Sequence, residues 1–464
     1  AVSNIRVSVY IPRFMDFPSA AKPLAQLAPG AQASFDVYPK FQPSILELQE
    51  DSVVQARVDA VCTVNGADLP VSTVVSATIN RNTALTWDNT RKIAAYITPN
   101  EDTVSGFARR VLDIGDSARN LQISRKIFQA MHICDALGAY GMSYVPNPET
   151  PISKVLGNSQ VIDTVHFPRV TLANRGGDCS DTTALLASLL ESVGIRTAVL
   201  TTPGHIFLAF DTGEPGDNSS LFSTQTLEVI VHGTTWIPVE TTVLKQGFMA
   251  AWNAASELVR KYRANGPFEF LPLAEMRDSW PALPLPPSAL TIVDPSPQAV
   301  SSVYQASLAG FTSALYTSRV SQLASQVAGL SGAQAARMRI RVGILNGMFG
   351  NMKDAEAAFR AVIKSDPALT SPYVNVANIR LLAGDTDGAL AMVNQGLSVN
   401  KGSALLNLLA SRIYASRGDA AQAATYMARV KSVAPDLAEP GGAGSGQRAA
   451  GQGAAPVVIW GNEK

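Results

Sequence analysis

Three glycines, Gly350, Gly384 and Gly418, recur every 34 residues, and each is followed five residues later by an alanine: Ala355, Ala389 and Ala423. A large apolar residue stands four further on (Phe359, Val393 or Met427), and Pro367 and Pro435 close the first and third units at the same offset. The period predicts stacked supersecondary units with glycine in a turn and alanine where paired helices approach closely. Such units bury a continuous core only by packing on their neighbours. Three of them span 334–437, about the minimum for a stable stack.

This pattern resembles the tetratricopeptide repeat. The resemblance implies a helical solenoid over 299–438, with 299–330 as an alanine-rich helical cap. It also implies a protein partner on the concave side, lined by the first helix of each unit, where Asn378 and Arg412 occupy equivalent positions. Pro281, Pro284, Pro286, Pro287, Pro295 and Pro297 mark 281–298 as a linker or extended strap. The tail, 439–464, has flexible-linker composition, and its glycines lack the flanking strand and helix of a phosphate-binding loop.

The candidate chemistry lies in the middle of the chain. Arg175-Gly176-Gly177-Asp178-Cys179 leads into a run in which Ala184, Leu185, Leu186, Leu189, Leu190 and Val193 recur at helical spacing, with Gly194 at the expected left-handed stop. The two glycines suit a tight turn into this helix, and Asp178 suits its N-cap. Cys179 then sits at the positive end of the helix dipole, which favours thiolate, while Asp178 and Asp181 oppose it. Two strands follow: 196–202, and 205–210 beginning at His205 after the Pro203-Gly204 turn. A further strand, 234–242, carries Trp236, Pro238 and Glu240. A cysteine, a histidine and a carboxylate in this order can act as nucleophile, base and orienting acid. The arrangement requires the Trp236–Glu240 strand to lie antiparallel to the His205 strand and between it and the run 227–231. It also marks Cys179 as the activated thiol among the three cysteines.

Residues 170–242 resemble the transglutaminase-like cysteine-protease superfamily, whose members carry a Gly-x-Cys helix start, a strand-opening His and a Trp-x-Pro-x-Asp strand. The resemblance implies a papain/transglutaminase-like α+β core over 99–280, with Cys179 as nucleophile, His205 as base and Glu240 as orienting acid. It further implies a protein or peptide substrate, a thioester intermediate, and water or an amine as acceptor. Two positions depart from the pattern: Glu240 stands where Asp is usual, and Phe207 where tryptophan is common. The other reading is a catalytically silent fold serving as a protein-binding scaffold. Resemblance to bacterial chains of this organisation implies an extracytoplasmic location, periplasm or cell surface; the chain carries no export signal, so any such signal would have been cleaved or left out.

Residues 1–98 alternate as strands through Ile5, Val7, Val9 and Ile11 and again through Val54, Ala56 and Val58, with Asn65-Gly66 as a hairpin turn. The expectation is a β-sandwich without chemistry of its own, giving a multidomain α+β chain of sandwich, core and solenoid. Its 464 residues suit about three domains. Charges balance, 37 basic against 37 acidic, so no basic excess is available for nucleic acid. No apolar run reaches membrane-span length. Cys62, Cys134 and Cys179 are too few for a disulfide framework. The four histidines are scattered: His132 lies two residues from Cys134 but off its helix face, His166 reads as an ordinary loop residue, with lining of the cleft as the alternative, and His232 as part of a turn. No metal or cofactor motif is present.

Overall fold

The structure, a computed structural model, describes residues 1–114, 123–147, 150–158, 160–216, 229–231 and 233–438. His232 and the tail 439–464 lie outside them. The protein is a mixed α/β chain with several antiparallel sheets. It divides into two compact units, with the boundary between Leu308 and Ala309.

The first unit opens with strands β1 (Val2–Tyr10), β2 (Ser19–Ala20), β3 (Leu24–Leu27), β4 (Ser52–Val64) and β5 (Ala67–Ile79). β4 and β5 pair along their whole length about the Asn65-Gly66 turn, where both residues take the positive φ (50° and 83°) that a two-residue hairpin demands. The five strands form one sheet, with β1 central and β5 at the edge. Two packed sheets were expected here, and within residues 1–79 only this one forms. On the edge pair Val53, Leu69, Val71, Val74 and Val75 are exposed, so no second sheet covers them there. The apolar packing gathers instead around Ile11, Phe14, Met15, Ala56 and Ile79.

The chain then runs through β6 (Ala84–Thr86), α1 (Asp102–Leu112), α2 (Arg125–Tyr140), β7 (Ser143–Tyr144), α3 (Ile152–Val155), β8 (Ile162–Thr164), α4 (Pro168–Asn174), β9 (Gly176–Gly177) and α5 (Cys179–Ser192). β6 pairs with β8, and β7 runs parallel to β9, so the approach to α5 is held by its own small ribbon. α5 is buried from Cys179 through Leu190, as its apolar circumference requires.

Next come β10 (Thr197–Thr202), β11 (His205–Pro215), β12 (Val229–Val231), β13 (Thr234–Val239), α6 (Phe248–Asn265), β14 (Glu269–Pro272) and α7 (Leu273–Arg277). Their sheet has the order β12-β13-β11-β10-β14, which puts β13 antiparallel to β11 and between β11 and β12. One face packs Ala198, Leu200, Phe207, Ala209 and Trp236 against Ala255 and Val259 of α6. The alternate residues Val199, Ile206, Leu208 and Phe210 are equally buried, so both faces are covered.

The helix α8 (Pro297–Val327) precedes the second unit's three helix pairs: α9 (Gly332–Met348) with α10 (Met352–Ser365), α11 (Ser371–Leu382) with α12 (Thr386–Val399), and α13 (Ala404–Ser416) with α14 (Ala420–Val433). Gly350, Gly384 and Gly418 occupy the turn inside each pair at φ of 84°, 79° and 80°, a conformation that favours glycine. Ala355, Ala389 and Ala423 are buried, as are Phe359 and Val393. Asn378 is buried on α11.

Candidate functional site

The first turn of α5 is fixed by a reciprocal cap. Asp178 accepts hydrogen bonds from the backbone N–H groups of Ser180 (2.9 Å) and Asp181 (3.0 Å), and Asp181 accepts one from the Asp178 N–H (3.2 Å). Both carboxylates thereby satisfy orphan donors at the helix start. The glycines ahead of it serve differently from the expectation. Arg175, not a glycine, takes the left-handed turn (φ 53°). Gly177 is needed because a Cβ there would lie 2.5 Å from the Cβ of Asp181.

Cys179 follows the cap at once and is 2% exposed. Burial, and then the charge of Asp178, push the thiol up, while the Ile206 backbone N–H at the start of β11 acts in the opposite sense. Desolvation and the capping carboxylate thus oppose the activation that was expected of the thiol from its place at the helix start.

His205 opens β11, and its Nε2 lies 2.7 Å from Oε2 of Glu240. The pairing of Leu208 with Val239 carries on to set Glu240 opposite Phe207. His205 and Phe207 share a strand face, and their rings stack at 5.8 Å. Glu240 thus reaches diagonally along β11 to the imidazole, a span that suits the longer glutamate arm. Its other oxygen accepts from the backbone N–H (3.0 Å) and hydroxyl (2.6 Å) of Thr242. Thr241 bonds through its hydroxyl to Thr182 (3.0 Å) and Thr183 (3.1 Å), which ties the end of β13 to the first turn of α5. All three residues singled out from the sequence belong to this one region.

No family model matches the chain, and no curated protein is significantly similar to it.

Two further residues border the site: Tyr144, which the sequence reading passed over, and His166, which it placed in a loop that could line the cleft. Tyr144, on β7, is near enough to Cys179, Asp178 and Glu240 that burial and then their charges push its phenol up, keeping it a hydrogen-bond donor. His166 is paired: its Nδ1 lies 3.0 Å from Asp181 Oδ2, and its backbone N–H donates to Asp181 Oδ1 at 2.7 Å. Together with Arg81, Asn147, Asn174 and Asp178 it lines a cavity of about 480 Å³. The only sequence signal for either was proximity to the cysteine's approach. His132 stacks on Tyr304 in the interior, and no group of three metal-ligating side chains occurs among the described residues.

Proposed function

We propose that the first unit carries a transglutaminase-like thiol site that attacks the carbonyl carbon of a peptide or glutamine amide. In this reading His205 takes the proton of Cys179 as the sulfur attacks, Glu240 holds the imidazole in the required tautomer, and the protonated imidazole then gives its proton to the leaving amine. The thioester so formed passes its acyl group to water or to an amine. The backbone N–H of Cys179 is the first oxyanion donor and the phenol of Tyr144 the second. The observation that carries this reading is the 2.7 Å bond between His205 and Glu240 at the facing ends of adjacent antiparallel strands, with Cys179 near enough to feel Glu240 and the Ile206 backbone N–H.

A raised thiol is compatible with this chemistry, because proton transfer to His205 during attack does not require a standing thiolate. The buried and protonated resting state of Cys179 nevertheless favours a second reading, a silent fold retained as a scaffold. In either reading the three helix pairs act as tetratricopeptide-like repeats that bind a protein. The N-terminal sheet is a structural module, and the whole works outside the cytoplasm of a bacterium.

Incubating the protein with glutamine-containing peptides, with and without a primary amine, and following ammonia release and thioester trapping tests the first reading. Release that disappears in Cys179→Ala supports it. Equal release from wild type and Cys179→Ala, or none under any condition, leaves the scaffold.

A further inference from the structure

A second imidazole and carboxylate pair shares the helix start with Cys179. Asp181 accepts from both the backbone and the ring of His166, and the same carboxylate closes the cap with Asp178, whose charge acts on the sulfur. Asp181 is almost wholly buried, whereas the His166 side chain is 42% exposed on the wall of the cavity. The imidazole is thus open to protons from solvent at one end and hydrogen-bonded into the cap at the other.

We propose that His166 is a positioning residue for Cys179: through Asp181 it holds the two capping carboxylates beside the thiol, and its protonated ring offsets their negative charge so that the thiol ionises more readily. The inference rests on the reading of Cys179 as nucleophile.

The groups facing His166 are Asp181 and Asp178 from α5 and Arg81 from the segment between β5 and β6. The hydrogen bond with Asp181 favours imidazolium, as do the charges of Asp181 and Asp178; burial and the Arg81 guanidinium oppose it, and the carboxylates win. Asp163 of β8 adds its charge at Asp178, and Cys179 itself feels Asp178 and Glu240. The charges that raise the thiol, those of Asp178 and Glu240, are negative, so a cation added to this network lowers the cost of forming thiolate.

The test is the rate of Cys179 carboxamidomethylation by iodoacetamide in the full chain, followed by peptide mass between about pH 5.5 and 8.5, where imidazoles titrate. In the wild type the logarithm of the rate should rise with a slope below one where His166 loses its proton, because each step that frees thiolate also removes the favourable charge. His166→Gln keeps a hydrogen-bond donor for Asp181 without the charge. It should give a steeper slope than the wild type, run about three- to tenfold slower near pH 6, and converge with the wild type above about pH 8. A unit slope in the wild type overturns the proposal without recourse to any variant. Superimposable wild-type and His166→Gln profiles, with His205→Ala slowed, overturn the role of His166 and leave that of Cys179 standing. Failure of Cys179 to react at any pH in the native chain overturns both.

Discussion

His205 and Glu240 meet at 2.7 Å because β13 lies directly beside β11 and ends where β11 begins. A plain meander of the three strands would have put Glu240 at the far end. With β12 on the far side of β13, the strand that ends at Glu240 lies next to the one that begins at His205.

Glu240→Gln keeps the length of the arm and an acceptor for Thr242, but removes the charge that holds the imidazole for proton transfer. Any Cys179-dependent turnover should fall by about 10²- to 10⁴-fold with little loss of stability. Glu240→Asp should also fail, since a shorter arm no longer spans the diagonal from β13 to His205. Steady-state turnover and urea denaturation on both variants check this. Full activity in Glu240→Asp would mean that the diagonal geometry is unimportant.

Cys62 is half-buried on β4, whereas Cys179 is sealed and its thiol held protonated. In the absence of substrate at neutral pH, mass-mapped labelling by a bulky disulfide reagent should therefore reach Cys62 at least about tenfold faster than Cys179. Cys134, buried in α2 with its thiol pushed well up, should react last. Cys179 leading the order would show that the resting site opens to solvent.

What could be read in the sequence was local. The helix start at Cys179, the strand start at His205 and the strand end at Glu240 each carry short-range signals in turn glycines, caps and β-branched runs. The strand order followed from chain direction, and the 34-residue period marked the three helix pairs. Burial, pairing between distant segments and the number of layers are tertiary properties. So the thiol was expected to be activated and the N-terminal strands were expected to form two sheets, and although His166 does lie in a loop that lines the cavity, its pairing with Asp181, on the same helix as Cys179, was not visible. Gly177 was identified as important, but for a turn that Arg175 makes.

A buried carboxyl away from the site should leave a signature in stability. Asp135 accepts from the Phe248 N–H (2.7 Å) and the Ser307 hydroxyl (2.9 Å) through Oδ1, while its Oδ2 has no hydrogen-bond partner among the described residues. Burial pushes this group from 3.8 up to about 7. The neutral native carboxyl therefore contributes stability that is fully present below about pH 4 and is lost as pH rises through about 7, because the folded state binds the extra proton. Asp135→Asn should flatten urea midpoints across that window and raise them above pH 7, by up to a few kcal/mol at about 1.4 kcal/mol per pKa unit. An unchanged pH slope in this variant would place the buried proton elsewhere.

Gly177→Ala concentrates the structural argument in one methyl group. An added Cβ would lie 2.5 Å from Asp181 Cβ and 2.8 Å from its Oδ2, closer than real contacts allow, so Asp181 must move. That movement breaks the cap with Asp178 and the bonds to His166 together, removing about 0.5–2 kcal/mol of capping and adding about 1–3 kcal/mol of overpacking. Gly176→Ala is the matched control. Its Cβ would meet Val145 Cγ2 at 3.2 Å and Ser143 O at 3.3 Å, contacts that a few tenths of an ångström relieve. Urea denaturation should therefore show Gly177→Ala losing at least about 1 kcal/mol more than Gly176→Ala, and Cys179 should become easier to alkylate as its helix start loosens. Equal stabilities would mean that Asp181 can move without cost, and that the cap does not hold Cys179 in place.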